Sequence, residues 1–200
     1  MNISKDNRSV FYINLILVLL EMIAFLHDVY AFKLGLFEWY TVDSNVLQLI
    51  VSGLVVYCVI KKKPYPKYLT VLHFISAVGL TVTFLIAAFV LAPEGGIAYY
   101  FFGDVAPINH LIAPLLSIIS LLFLEKTQKL PMWIIILPAA ASLIYGVIAL
   151  ILNAVRIMDG PYFFLKVYDQ PAGTIAIWFA VIAVLCLGLA FIYYKIKWRS

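Results

Sequence analysis

The sequence predicts an all-α integral membrane protein: one domain over residues 1–200, folded as a six-transmembrane-helix bundle with both termini in the cytoplasm. Two observations carry this prediction. Hydrophobic residues make up 65% of the chain and charged residues only 12%, whereas soluble domains average about 25% charged residues. The basic residues are also concentrated on one side of the apolar segments, and such a bias sets the orientation of a membrane protein.

Six apolar runs follow one another along the chain, at 10–32, 40–60, 69–92, 108–124, 132–152 and 172–194. Each is close to the ~20 residues that a helix needs to cross the hydrocarbon core. Helices are expected because lipid cannot satisfy the backbone polar groups of an open segment. The fourth run is the shortest and predicts a helix that stands nearly upright. The first run is too long for the apolar part of a cleavable signal peptide.

Lysine and arginine fix the orientation of these helices. Of the 14 basic residues, all but three lie on the side that carries the termini. The three exceptions are Lys33, Arg156 and Lys166. Because basic loops remain in the cytoplasm, both termini are predicted to be cytoplasmic. The net charge of +4 is explained by this topology, without a nucleic acid partner, and the basic loop at 61–67 is placed to touch anionic lipid.

The second run opens with polar side chains, in the stretch EWYTVDSNVLQLIVSGLVVY at 38–57. At about 100° per residue, Thr41, Asn45 and Gln48 share one face of the helix, and Asp43 points nearly the opposite way. Similar polar seams occur in the first run (Asn14, Glu21, Asp28) and in the fourth (His110, Pro114, Ser117). Seams that faced lipid would be costly, so they are predicted to face the bundle interior. The simplest interpretation is that they join helices by hydrogen bonds.

A sharper interpretation follows from depth, because the predicted orientation places most of these groups in the outer leaflet. Thr41 and His110 then lie at the same level on facing helices. A threonine hydroxyl becomes a nucleophile when a nearby base takes its proton, and histidine is the usual base. Asn45, Gln48, Asn109 or the backbone N–H groups at the helix starts are candidates to bind the oxyanion or hold water.

The group that orients the imidazole is left open between Asp28, favoured by depth, and Asp43, which would need an irregular start to the second helix. His27 and Asp28 are adjacent but are predicted not to face each other, because neighbours on a helix diverge. The spacing of the histidines indicates no metal site, and no pattern in the chain indicates a cofactor.

Three separated segments resemble one known family. They are WYTVDSNVLQLIV at 39–51, INHLIAPLLSIISLLFLE at 108–125 and GPYFFLKVYDQPAG at 160–173. Their order and content are similar to the androgen-induced six-transmembrane family, the membrane hydrolases of the androgen-dependent TFPI-regulating protein type. The resemblance implies a threonine hydrolase that cleaves fatty acid esters of hydroxy fatty acids. It implies Thr41 as the nucleophile and His110 as the histidine. The short loops suggest a bacterial member, in the plasma membrane.

The sequence therefore predicts a membrane enzyme that hydrolyses a lipid ester, with Thr41 attacking and His110 carrying the proton. Arg156, near the outer surface, is a candidate to pair with a substrate carboxylate. Two other functions are kept as alternatives. One is a proton-linked transporter that uses Glu21, Asp28 and His110 as a relay, and the other is a non-catalytic lipid-binding protein. The sequence leaves the oligomeric state undetermined.

Overall fold

The computed structural model describes residues 5–199, and all regular structure within that range is helical. The α-helices are α1 (Lys5–Phe32), α2 (Tyr40–Ile60), α3 (Lys67–Ile86), α4 (Ala92–Gly95), α5 (Ile97–Phe102), α6 (Ala113–Ile119), α7 (Ile136–Ala154) and α8 (Ala172–Lys197). Short 3-10 turns occur at Lys33–Glu38, Met132–Ile135 and Phe163–Leu165. The all-α prediction is confirmed for the described residues.

Three π-helical turns lengthen two of these helices. Ala87–Leu91 joins α3 to α4, while Ile108–Ile112 and Ser120–Leu124 extend α6 at its two ends. A π turn inserts a residue into the helix and re-aims the side chains around it, and such turns are frequent at functional sites. The first two lie beside the outer cavity described below.

Five helical segments in the described part of the chain are long and apolar enough to cross a membrane. They are Asn7–Glu38, Tyr40–Ile60, Lys67–Gly95, Met132–Ala154 and Ala172–Lys197. The remaining apolar run forms a shorter helix, Ile108–Leu124. With several such segments and apolar side chains exposed along their outer faces, such as Ile177 and Val184 on α8, the chain is a helical integral membrane protein.

Proline and left-handed residues define several helix ends. Pro66 and Pro171 precede α3 and α8 in extended conformation, as the fixed backbone angle of proline favours at a helix start. The C-terminus of α2 is closed by hydrogen bonds from the Lys62 N–H to the Val59 carbonyl and from the Lys63 N–H to the Cys58 carbonyl. Lys62 has a φ of 54° there, at a position where glycine is usual.

Helix α3 lies at the centre of the bundle, where it packs against α2, α6, α7 and α8. Small side chains on this helix allow close approach. At Gly79, an added Cβ would lie 3.0 Å from the Tyr40 hydroxyl of α2. Helix α1 packs along α2, and α7 along α8. This arrangement brings the start of α2, the end of α1 and the π turn before α6 to the same end of the bundle.

Candidate functional site

A cavity of about 470 Å³ opens at the end of the bundle where α1 ends and α2 begins. The polar side chains in its lining are His27, Asp28, Thr41, Glu94, Tyr99, Tyr100, Asp104, Asn109, His110 and Tyr162. Among the rest are Phe32, Trp39, Leu91 and Phe163. We refer to it as the outer cavity, because it lies at the end of the bundle that the sequence predicts to be on the outer side. A lining in which polar groups converge among apolar and aromatic side chains is typical of a small-molecule site.

Thr41 lies in the first turn of α2, where the helix leaves backbone N–H groups without helical partners. Its hydroxyl lies 3.4 Å from the Tyr162 hydroxyl. The Thr41 backbone N–H donates to the same Tyr162 oxygen, also at 3.4 Å. Because that oxygen accepts from the N–H, its own proton is available to donate to the Thr41 hydroxyl. The nucleophile candidate therefore sits at a helix N-terminus, beside a phenol donor.

His110 lies in the π turn Ile108–Ile112, across the outer cavity from α2. Its Nδ1 is 2.7 Å from the backbone carbonyl oxygen of Tyr100. A carbonyl can only accept, so Nδ1 carries the proton, and Nε2 is left as the proton acceptor. A backbone carbonyl thus orients the ring, a role for which the sequence had offered Asp28 or Asp43.

Asp28 is held at the edge of the outer cavity by two neighbours. Its carboxylate lies 3.2 Å from His27 Nδ1 and accepts from the Asn109 amide at 3.4 Å. The prediction that His27 and Asp28 do not face each other is wrong. The two side chains leave the helix in different directions, but the His27 ring, 34% exposed, folds along the helix surface to reach the carboxylate.

Asn45 links the two halves of the site. Its amide nitrogen donates to the Thr41 carbonyl at 2.7 Å and to the Asn109 carbonyl at 3.4 Å. The side-chain oxygens of Asn45 and Asn109 are both buried and have no hydrogen-bond partner. Unpaired buried acceptors are rare in folded proteins, so each of these oxygens is a position at which a buried water would be bound. No hydrogen bond joins the Thr41 hydroxyl to the His110 ring among the described residues.

A second, apolar cavity of about 50 Å³ meets the outer cavity at Thr41, Leu91 and Tyr162. It runs between α3, α7 and α8, and we refer to it as the apolar slot. Its far wall includes Phe179 of α8, whose ring packs directly on Gly146 of α7. A Cβ added at Gly146 would lie only 2.9 Å from that ring. Thr41 therefore stands between a polar cavity and a narrow apolar one.

Besides Asn45, three residues that the sequence offered for the site lie outside the lining of the outer cavity. The Gln48 side-chain oxygen accepts from Ser76 and Ser117 at 2.6 and 2.7 Å, deep in the bundle. The Arg156 guanidinium lies over the Tyr168 ring, 5.0 Å from its centroid. Asp43 lines a separate cavity of about 320 Å³ between α2, α3 and α7. The structure brings Thr41, His110, Asp28 and Asn109 together, with Asn45 beneath them, and leaves these three apart.

A further polar cluster lies at the opposite end of α3 and α6. His73 Nδ1 is 3.1 Å from the Glu125 carboxylate, and His73 Nε2 is 3.4 Å from the Ser117 hydroxyl. This order of serine, histidine and acid is that of a nucleophilic triad. Ser117 and His73 are completely buried, however, and the Ser117 hydroxyl is committed to Gln48. Without access for a substrate, this cluster acts as a structural network.

Sequence reasoning missed two groups of the site. Tyr162 could have been found from the sequence, since it belongs to the GPYFFL segment on which the resemblance rests. The Tyr100 carbonyl could not, because a backbone group leaves no mark in the sequence.

Groups of three or more His, Cys, Asp or Glu side chains able to hold a metal ion are absent from residues 5–199. Comparisons of the chain with protein-family models, curated proteins and solved structures found no match.

Proposed function

We propose that this protein is an intramembrane threonine hydrolase that cleaves lipid esters, of the kind formed between a fatty acid and a hydroxy fatty acid. The observation that carries the proposal is the position of Thr41. Its side chain lies at the junction of the apolar slot and the outer cavity, which also contains His110. An ester with the first methylenes of its acyl chain in the slot presents its carbonyl carbon to the Thr41 hydroxyl. The protein is a six-span bundle of a bacterial plasma membrane, with both termini cytoplasmic.

The reaction follows from the proton positions. Thr41 Oγ1 attacks the ester carbonyl and its proton passes to Nε2 of His110, which the Tyr100 carbonyl leaves unprotonated. The tetrahedral intermediate collapses to an acyl-threonine, and His110 returns the proton to the departing alcohol. A water then attacks the acyl-threonine while His110 takes its proton; the bond to Thr41 Oγ1 breaks, His110 returns the proton to that oxygen, and the fatty acid is released. Thr41 and His110 must close together in the substrate complex, since catalytic hydrogen bonds are often long in free enzymes.

Tyr162 serves this reaction as a donor. Burial raises the pKa of its phenol above the ordinary value of 10.0, against hydrogen bonds with Thr41 that lower it. The phenol therefore keeps its proton at neutral pH and cannot act as a base. Because it lies 3.4 Å from Thr41 Oγ1, the phenol is placed to donate a hydrogen bond as negative charge develops during the attack.

Replacing Tyr162 by phenylalanine is expected to lower ester turnover by about 10²-fold, the effect of removing one oxyanion donor. The ring stacks on Phe164 at 5.3 Å and meets Trp39 edge-on, and phenylalanine preserves both contacts. The melting temperature should accordingly change little. Steady-state kinetics and thermal unfolding of the purified protein test this, and unchanged turnover would remove Tyr162 from the mechanism.

Replacing Phe179 by alanine is expected to lengthen the apolar slot and to shift preference towards longer acyl chains. A methylene in an apolar pocket is worth about tenfold or more in kcat/KM, so the ratio of long-chain to short-chain kcat/KM should rise by about tenfold. Gly146→Ala, which crowds the Phe179 ring, should shift preference the other way. Val184→Ala, on the exposed face of the same helix, is the matched control. Identical chain-length profiles for all variants would show that the slot does not hold the acyl chain.

A second candidate function, a proton-linked carrier, is favoured by Glu21. This residue is 1% exposed, and one of its carboxylate oxygens is buried without a hydrogen-bond partner. Carboxylic acids inside a membrane bundle commonly carry protons. The two functions separate in one preparation, assayed in detergent for ester cleavage and in liposomes for proton flux. Hydrolysis that survives Glu21→Gln supports the hydrolase. If the wild type moves protons but does not cleave the ester, and Glu21→Gln abolishes the proton flux, the carrier is supported. If the protein binds the lipid ester and shows neither activity, a non-catalytic binding protein is supported.

A further inference from the structure

The outer cavity has a negatively charged lining. Its acidic side chains are Asp28, Glu94 and Asp104, and its histidines are His27 and His110. Among the described residues, no lysine or arginine lines this cavity. His27 is paired with Asp28 at 3.2 Å, and the proposed reaction uses His110 as a neutral base. Glu94 and Asp104 therefore leave the lining negative even when His27 is protonated.

The basic residues of the outer loops do not offset this charge. Arg156, which the sequence offered as a partner for a substrate carboxylate, lies instead over the Tyr168 ring, 5.0 Å from its centroid. Lys166 is 3.7 Å from Asp159, and both Lys166 and Lys33 are outside the lining of the outer cavity. A cleft with charges of one sign and walls of low dielectric attracts ligands of the opposite sign and repels those of the same sign. A free carboxylate is therefore disfavoured in the outer cavity.

Aromatic rings add to the preference for a cation. Phe32 and Trp39 line the cavity with their ring centroids 6.1 Å apart, and Tyr99 and Tyr100 line it with their rings edge-on at 5.0 Å. The faces of such rings attract ammonium groups. The two acids that face no histidine are both exposed, so they lie where a head group enters. Carboxylates and aromatic rings together are the groups that recognise an organic ammonium ion.

The proposed function, on which this step rests, puts the alcohol half of the ester in the outer cavity, because the acyl half begins in the apolar slot at Thr41. In an ester of a 3-hydroxy fatty acid, the carboxyl of the hydroxy acid lies only a few bonds from the ester oxygen and shares that cavity. We propose that in the substrate this carboxyl is not free, but is joined as an amide to a head group that carries an ammonium. Hydrolysis breaks the same ester bond and releases the fatty acid and the intact hydroxyacyl amide.

The test compares three esters that differ only in charge. Each carries the same fatty acyl group on 3-hydroxyhexadecanoic acid. The carboxyl of that acid is free, capped as the N-methyl amide, or capped as the N-(2-aminoethyl) amide, so the net charge is negative, zero or positive. The kcat/KM of each ester is measured in the same neutral detergent, at low and at high salt.

Two double variants of equal charge accompany the wild type. Glu94→Gln with Asp104→Asn removes two charges from the lining of the outer cavity. Asp104 has a φ of 31°, in a region that asparagine tolerates better than most residues. Asp159→Asn with Asp169→Asn is the matched control, because it removes two exposed acids that lie outside the lining.

We expect kcat/KM to rise about tenfold from the anionic to the neutral ester and about tenfold again to the cationic ester. The ratio of cationic to anionic kcat/KM should fall to about tenfold in Glu94→Gln with Asp104→Asn, and should stay within about twofold of the wild type in the control pair. High salt should lower the ratio in the wild type, since salt screens the charges of exposed groups.

Three results would overturn this substrate assignment and leave the hydrolase standing. They are equal kcat/KM for the cationic and neutral esters, a preference for the free acid, and equal charge ratios in the two double variants. Cleavage of none of the three esters would instead overturn the hydrolase, and the substrate assignment with it.

Discussion

Replacing Thr41 by valine is expected to abolish ester hydrolysis, with a fall in kcat of about 10³-fold or more, because the variant has no hydroxyl to attack the carbonyl. Valine matches the shape of threonine, so the start of α2 and the lining of the apolar slot should be preserved. Only the contact between the side-chain oxygen and Tyr162 is lost, since the backbone N–H to Tyr162 remains.

Thr41→Ser is the matched variant, because it restores the hydroxyl and removes only a methyl group. It should retain turnover within about tenfold of the wild type. His110→Ala should lose about 10²–10⁴-fold, the usual contribution of a general base. Equal activity of the wild type and Thr41→Val would exclude Thr41 as the nucleophile, and loss in Thr41→Ser equal to that in Thr41→Val would indicate a packing role for the methyl group.

Replacing Glu125 by glutamine is expected to destabilise the protein more than any surface change. The Glu125 carboxylate accepts from His73 Nδ1 at 3.1 Å and from the Ser120 hydroxyl at 2.7 Å, in a fully enclosed site. A glutamine has one acceptor oxygen, so its amide group must face one of these donors. Removing one partner of a buried charged pair costs about 3–5 kcal/mol, which in a chain of this size lowers the melting temperature by roughly 10 °C.

The exposed pair of Asp159 and Lys166, 3.7 Å apart with Asp159 fully exposed, supplies the control. Asp159→Asn should leave the melting temperature unchanged, because exposed ion pairs contribute little. Thermal unfolding of the three proteins in the same detergent measures the difference. Equal melting temperatures for Glu125→Gln and the wild type would show that the cluster around His73 does not stabilise the packing of α3 against α6.

The difference in stability between the wild type and Glu125→Gln is expected to depend on pH. Burial opposes ionisation of Glu125, but the charge of His73, hydrogen bonds from His73 and Ser120, and the charge of Lys197 outweigh it. The pKa of the carboxyl therefore lies below its ordinary value of 4.5. A carboxyl with a lowered pKa stabilises the fold fully above 4.5, and that contribution is lost as the pH falls through the lowered pKa. The difference in melting temperature between the wild type and Glu125→Gln should accordingly be largest at neutral pH. It should shrink as the pH falls below about 4.5.

Hydrophobic run length predicted the positions of the helices closely, because a membrane imposes one length and one type of element. Helical phase predicted that Thr41 and Asn45 share a face and that Asp43 lies apart; Thr41 lines the outer cavity, and Asp43 lines a separate one. Helical phase, however, gives only the direction of a side chain around the helix axis. It could not show that Gln48, on the same face as Thr41, accepts hydrogen bonds from serines of α3 and α6 deeper in the bundle.

Contacts between distant segments were beyond the reach of sequence patterns. His73 and Glu125 are 52 residues apart, and their pairing depends on the packing of α3 against α6. The Tyr100 carbonyl reaches His110 because α5 folds over the π turn, and neither the π turn nor a backbone acceptor has a residue signature. The contact of His27 with Asp28 depends on the rotamer of a half-exposed ring, which periodicity does not describe.

The most direct test of the proposed mechanism is to trap the acyl-enzyme. Purified protein is incubated with an activated fatty acid ester, quenched in acid and digested, and the peptides that cover the start of α2 are examined by mass spectrometry. We predict an added acyl mass on Thr41 in the wild type, its absence in Thr41→Val, and slow accumulation in His110→Ala. Turnover of the ester with no acyl mass on Thr41, or with the acyl group on another residue, would contradict a threonine hydrolase centred on Thr41.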